Sequence, residues 1–397
     1  MNEGPLSGLR VLDLTTVLAG PYCTLLLADA GAEVIKVERP GTGDATRSWG
    51  PPFLDQAGGV SAYFASINRG KRSVAIDIQA EPGRRMVAGL VKAADVVIDN
   101  FRPGVMKRLH LDHDTLKAIS PSVVSCSITG YGASSRYADR PGAEVIVEGM
   151  SGMMSITGTP DGGPVRLGSA MIDIATGLTA AGRILASLYR RSTTGVGARI
   201  ECSLYETALS ALGTTITTYT ASGNAPQKLG THHAGICPYG AFRTSDGYAL
   251  MGVFNDERWP TFCHVLGLSS LATDDRLCTN AGRLRQRSYV HSSIEQMTSP
   301  KRTADIVGAL EGAGLMAAPV RSVPEMWRDP DTAELGLFVE LQQYRGVFSP
   351  LLDRAARGDE GCARVPTLGE DTAAVLARDC GMSDPEVARW RGAGVIG

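Results

Sequence analysis

Short apolar runs alternate with longer mixed ones through the first hundred residues. Arg10–Leu14 (RVLDL) is too short for a helix and reads as a buried strand; Glu33–Val37 (EVIKV), Ser73–Ile76 and Asp95–Ile98 repeat that signature. Between the first two, CTLLLADA reads as a helix opened by Pro21, where a missing N–H costs little, and stopped by Gly31. A further helix is expected near Gly83–Ala93. Strands alternating with helices predict an α/β domain, a mostly parallel sheet covered by helices. Val123–Ile128 adds a strand, and the Ala- and Leu-rich stretch Ser169–Arg190 predicts a long, largely buried helix.

The pattern changes after Ser210. Thr214–Ala225 is polar and Thr-rich, and Lys228–Gly240 carries three glycines and paired histidines. Ala241–Gly252 then places a Ser-Asp-Gly turn between two β-like runs, a hairpin signal. Helical segments run from Trp259 to about Gly314, so residues 225–325 read as a smaller α+β unit. The tail predicts a helix at Thr372–Leu376 and another starting at Ser383-Asp384-Pro385-Glu386.

Composition narrows the function classes. A chain of 397 residues predicts two or three domains, and 39 Lys+Arg against 41 Asp+Glu argue against a basic nucleic-acid binder. The eight cysteines are scattered, without CxxC or zinc spacing, which reads as reduced thiols and a cytoplasmic location without a metal site. The N-terminus lacks a signal-peptide pattern, and no run of about 18 apolar residues is expected to span a bilayer. The 47 glycines suggest tight turns and close approach of backbone to something.

The motifs give partial direction. After the first strand stands Leu18-Ala19-Gly20-Pro21 rather than GxGxxG, and no GxxxxGK[ST] occurs. Arg39, Arg47, Arg69, Lys71, Arg72 and Arg108 lie in loops or near them; they suit a phosphorylated ligand or simply a solvated surface. His232-His233 suits catalysis, metal binding or a turn, but other ligands at metal spacing are missing. Asp173, in GSAMIDIATGL, is an acid among apolar and small residues. Burying it costs several kcal/mol unless it is bonded or functional, and a helix N-cap is the alternative. Glu144 is a similar acid, and two such carboxylates suit acid/base or covalent chemistry. By themselves these residues describe an α/β enzyme with an anionic ligand.

A resemblance goes further. PLSGLRVLDLTTVLAGPYCT, GAEVIKVERPGTGDATRSWGPPF, INRGKRSVAIDI, ADVVIDNFRPGVMKRL, SITGYG, RPGAEVIVEGMSGMMSITG, GSAMIDIATGL, HHAGICPYGAFRTSDGY and PTLGEDTAAVL follow one another in order. Together they resemble the class III CoA-transferases, most of all the succinyl-CoA-dependent transferases of dicarboxylates such as hydroxymethylglutarate. The resemblance implies Asp173 as nucleophile, Glu144 as an acidic active-site residue, and His233 with Gly235 closing over the acyl groups. It implies CoA contacts from Val17, Ala19, Arg39, Lys71, Arg72, Ile76, Asn100, Phe101 and Arg108, with CoA thioesters as substrates and no permanent cofactor. Arg47 would meet the remote carboxylate of a dicarboxylate. The implied fold is an interlocked homodimer, its Rossmann-like large domain built from 1–224 and 326–397 around the small domain at 225–325.

Two departures matter. The racemases of this fold carry a His-Asp pair where this chain has Ala143-Glu144, and alanine cannot transfer a proton. Leu18 replaces a glutamine of formyl-CoA transferase, and Thr16 a basic residue of some dicarboxylate transferases, which leaves the acceptor open. The alternatives are an acyl-CoA racemase or isomerase and a non-catalytic CoA-binding protein.

Overall fold

The computed structural model describes residues 4–54, 60–341, 344–347 and 364–397. The chain forms two compact units: Met1–Ser151, Leu167–Thr218 and Leu335–Gly397 make the first, Gly152–Arg166 and Tyr219–Glu334 the second.

The first unit is built on β1 (Arg10–Asp13), β2 (Glu33–Glu38), β3 (Arg72–Ala75), β4 (Val96–Asp99), β5 (Val124–Thr129) and β6 (Ala198–Ser203). All pair in parallel, in the order β3-β2-β1-β4-β5-β6. This is the doubly wound order, whose switch point lies between the first and fourth strands. Central strands are covered on both faces and so read as nearly continuous Val/Ile/Leu runs. β6 escaped the sequence pattern because Arg199 and Glu201 interrupt its apolar positions at the sheet edge.

The helices of this stretch are α1 (Ala19–Asp29), α2 (Ala62–Asn68), α3 (Glu81–Val91), α4 (Val105–Arg108), α5 (His113–Ile119) and α6 (Glu144–Ser151). After α7 (Met153–Ile156), which belongs to the second unit, comes α8 (Met171–Thr194). α1 begins two residues before Pro21, which the first turn tolerates. α8 packs on α1, where Gly177 permits contact: a Cβ there would stand 2.8 Å from the Ala19 carbonyl oxygen. By length and composition α8 could cross a membrane, contrary to the expectation that no such run exists. It is also less buried than expected. Ile172, Thr176, Gly177, Ala180, Ala181 and Ile184 are covered, whereas Met171, Leu178 and Tyr189 on the other face are exposed.

The C-terminal segment completes the first unit's core. Val375 and Leu376 of the helix Thr372–Cys380 and Val387 of Asp384–Gly392 pack with Leu12, Ile35, Val74 and Val87. The expected start at Ser383 is a capping box closed by Glu386.

The second unit contains the expected hairpin, β7 (Tyr239–Arg243) and β8 (Tyr248–Gly252), extended by the antiparallel β9 (Met316–Pro319). Phe242, Met251, Trp259, Phe262, Val290 and Ile294 form its core.

Candidate active site

Beneath the β1–α1 turn lies a network of buried charges. Asp13 accepts from the Thr15 amide and hydroxyl, the Thr24 hydroxyl at 2.6 Å and Lys71 Nζ at 3.1 Å. Lys36 Nζ donates to the Thr15 carbonyl and pairs with Asp44 at 3.0 Å. Burial alone would raise the Asp13 carboxyl; Lys71, Lys36 and the two hydroxyls overturn that and hold it at about 2. Glu38 receives Arg47 through both oxygens at 2.7 Å, and Ser73 at 2.6 Å. This scaffold fixes the turn above it, where Val17 sits at φ 71°, a backbone region costly for a β-branched residue. The Thr16 amide donates to Asn100 Oδ1 at 3.0 Å, and Asn100 Nδ2 donates to the Thr16 carbonyl at 2.7 Å, which ties the loops after β1 and β4 at the switch point.

Asp173 stands in the first turn of α8, three residues after the N-cap Ala170, so it is not the cap. The capping acceptor comes from another helix: Glu144 Oε1 takes the Ile172 amide at 3.0 Å. Glu144 is carried there by a backbone crossing at which a Cβ on Gly142 would stand 2.4 Å from the Gly130 Cα, so only glycine fits. Burial, and then the neighbouring Glu144 charge, push the Asp173 carboxyl up to about 7. A raised carboxylate is a better nucleophile than an ordinary one once ionised. Tyr63 completes the cluster. Burial, then Asp173, Glu144 and Asp44, push its phenol up to about 12, so it remains a donor beside the two acids. Trp49 packs against it at 5.3 Å between ring centroids. Neither aromatic was assigned from the sequence, where nothing in RSWGPPF or SAYFAS indicates that the two rings meet or that Tyr63 lies within reach of the Asp173 charge.

A pH dependence follows. Were Asp173 the nucleophile, only its ionised form would attack, so kcat/KM should rise with pH and level off above about 7. Glu144→Gln keeps the acceptor for Ile172 but removes the like charge, so the rise should move to lower pH. A profile unchanged in this variant would refute the coupling.

Other expected contacts fare differently. Lys71 is not free to meet a phosphate: it is 2% exposed, and its three donors are taken by Asp13, the Pro21 carbonyl and Asn68. Arg47, the candidate for a remote carboxylate, is likewise buried, held by Glu38 and the Pro366 carbonyl and stacked on Phe64. Arg72 pairs with Glu33 and Asp371, and Ile76 lies in the core, bridged to Ile396. Arg47, Lys71 and Arg72 were read as loop cations and Ile76 as a strand residue placed by CoA through the resemblance, but the ion pairs and packing that engage them join segments distant in sequence. Arg39 and Arg108 are exposed, Val17 and Asn100 half-buried, and Leu18 and Ala19 buried. Phe101 borders a cavity of about 320 Å³ with Asp99, His113, Ser125 and Ser127; neither Asp173 nor Glu144 lines it.

In the second unit, His233 is exposed and its Nδ1 accepts the Gly235 amide at 3.0 Å. His232 turns inward instead, stacking on His291 with ring centroids 4.0 Å apart. Among the described residues no group of three or more His, Cys, Asp or Glu is arranged to hold a metal ion.

Residues 6–372 match the model of CoA-transferase family III. The chain is 40% identical to a succinate–glutarate CoA-transferase of Agrobacterium fabrum, over 94% of this chain and 95% of that one. It is 35% identical to the human succinyl-CoA:glutarate CoA-transferase, over 100% of this chain and 90% of that one. A crystal structure of a CAIB/BAIF family protein from Brucella suis superimposes with a TM-score of 0.84 at 38% identity, covering 94% of this chain and 99% of that one. A match over nearly the whole chain, on a doubly wound sheet that positions a raised carboxylate, leads to one conclusion: the chain belongs to CoA-transferase family III.

Proposed function

We propose that this enzyme moves CoA from succinyl-CoA to a dicarboxylate of glutarate type, with Asp173 as the acyl carrier. The observation that carries the reading is Asp173 itself, a carboxyl raised to about 7 and set at the start of α8 beside Glu144 and Tyr63. The names of the two glutarate-transferring relatives support the substrate pair.

In the proposed cycle, an Asp173 carboxylate oxygen attacks the thioester carbonyl; the C–S bond breaks, leaving a mixed anhydride and CoA thiolate. The thiolate attacks the Asp173 carboxyl carbon, giving aspartyl-CoA thioester and free succinate. The acceptor carboxylate attacks that carbon and releases thiolate again. Thiolate attack on the acceptor's acyl carbon then yields the new acyl-CoA and restores Asp173. Each intermediate preserves acyl activation, so no nucleotide is consumed. The anhydrides need protection from water, which the apolar and small residues around Asp173 favour.

Val17, Ala19, Arg39, Asn100, Phe101 and Arg108 are the proposed CoA contacts, and His233 and Gly235 proposed acyl-side contacts. An interlocked homodimer and a cytoplasmic location complete the reading; the scattered cysteine usage supports the latter. Incubating the protein with succinyl-CoA and a panel of carboxylic acids, followed by mass spectrometry of thioesters, should reveal glutaryl-CoA or a close homologue. No transfer to any acid, with exchange of the α-hydrogen of a branched acyl-CoA in deuterated water, would instead establish a racemase.

A further inference from the structure

Glu144 and Glu148 stand one helical turn apart on α6, so their side chains leave the same face. Glu144 takes the Ile172 amide at 3.0 Å, and Glu148 Oε2 takes the Leu167 amide at 3.2 Å. The two acids therefore hold both ends of the segment 167–172 that leads into Asp173. Leu167 is also where the chain re-enters the first unit after Arg166, and α6 ends at Ser151, where the chain leaves it. Glu148 thus fastens the returning chain to the departing one. The N-cap Ala170 has no capping side chain of its own, so the carboxylates of α6 supply the acceptors here.

Glu148 is fully buried, and its Oε1 has no hydrogen-bond partner among the described residues. An incompletely bonded carboxylate in such a place costs stability, so stability alone does not account for it. Placement does. The carboxyl carbon or oxygens of Asp173 must meet a thioester, a thiolate and an acceptor acid in turn, and a misplacement of about 1 Å can cost on the order of 100-fold in rate. We propose that Glu148 is a positioning residue for Asp173: its carboxylate fixes the start of the 167–172 segment as Glu144 fixes the end. The inference rests on the reading of Asp173 as acyl carrier.

The test compares Glu148→Leu, which keeps bulk but removes the acceptor, with Glu148→Gln, which keeps an acceptor for the Leu167 amide. Glu148→Leu should lower kcat by about 10- to 100-fold with KM for the acyl-CoA changed less than about twofold, and Glu148→Gln should recover the rate to within about threefold of wild type. Should the leucine variant not fold, Glu148→Asp, which withdraws the acceptor by one methylene, should show the same loss in kcat at unchanged KM. A leucine or aspartate variant with wild-type kcat would overturn the proposal. So would a folded glutamine variant as slow as the leucine one, because the charge rather than the acceptor would then matter. Asp173→Ala run in parallel separates the two readings: if it retains transfer the acyl-carrier reading fails, whereas if it is inactive and Glu148→Leu is not impaired only the positioning role fails.

Discussion

Asp173→Ala should abolish CoA transfer, lowering kcat by about 10⁴-fold or more while acyl-CoA binding persists. The loss should be large because in the proposed cycle alanine removes the atom that carries the acyl group, and the neighbouring carboxylate has another task. Glu144 accepts the Ile172 amide and is engaged at the helix start. In wild-type protein quenched during turnover, intact-mass measurement should find CoA attached through Asp173, and the alanine variant should show none. Transfer at more than about a hundredth of the wild-type rate would overturn the assignment. Stability should move the opposite way. The Asp173 carboxyl is raised, so the folded chain holds that proton more tightly than the unfolded chain, and its ionisation removes stability as pH rises from the ordinary range to about 7. Asp173→Asn cannot ionise, and should raise Tm at pH 8 but not at pH 4; active-site residues commonly trade stability for function in this way.

Lys71→Met should destabilise the fold by about 3–5 kcal/mol, the usual consequence of removing one partner from a buried pair. Asp13 would keep its bonds from Thr15 and Thr24 but lose the ammonium at 3.1 Å, and the Pro21 carbonyl and Asn68 would lose their donor. Asp13 is held low, so its favourable contribution is complete above the ordinary carboxylate range and fades as pH falls towards about 2. Chemical denaturation at pH 7 gives the comparison directly. A variant of normal stability with a raised KM for acyl-CoA would instead make Lys71 a ligand of the substrate, as the loop sequence NRGKRS suggests. Asp13→Asn combined with Lys71→Met should recover part of the loss, because no unpaired charge then remains inside.

These two positions show what could be read early. The strands β1 to β5 were legible because hydrophobic periodicity is local: RVLDL and EVIKV announce buried strands without reference to the rest of the chain. Asp173 was legible for the same reason, as an acid among apolar neighbours before a helix. The resemblance in nine ordered segments gave the family, which the match over residues 6–372 supports. Lys71 and Arg47 were not legible. A cation in a polar loop looks solvated, and its true partner lies elsewhere: Asp13 is 58 residues from Lys71. One signal was available, since Asp13 and Lys36 each interrupt an apolar strand and a buried charge requires a counter-charge.

The sequence by itself thus determined the parallel α/β architecture, the hairpin of the second unit and the identity of the acid at the start of α8, all properties carried by short stretches of chain. Only the tertiary structure decided which charges are internal scaffold, that Glu144 caps α8 from another helix, and that Tyr63, packed on Trp49, feels the charge of Asp173. The physical reason is that ion pairs, trans capping and pKa shifts depend on distance in space, which periodicity along the chain does not encode.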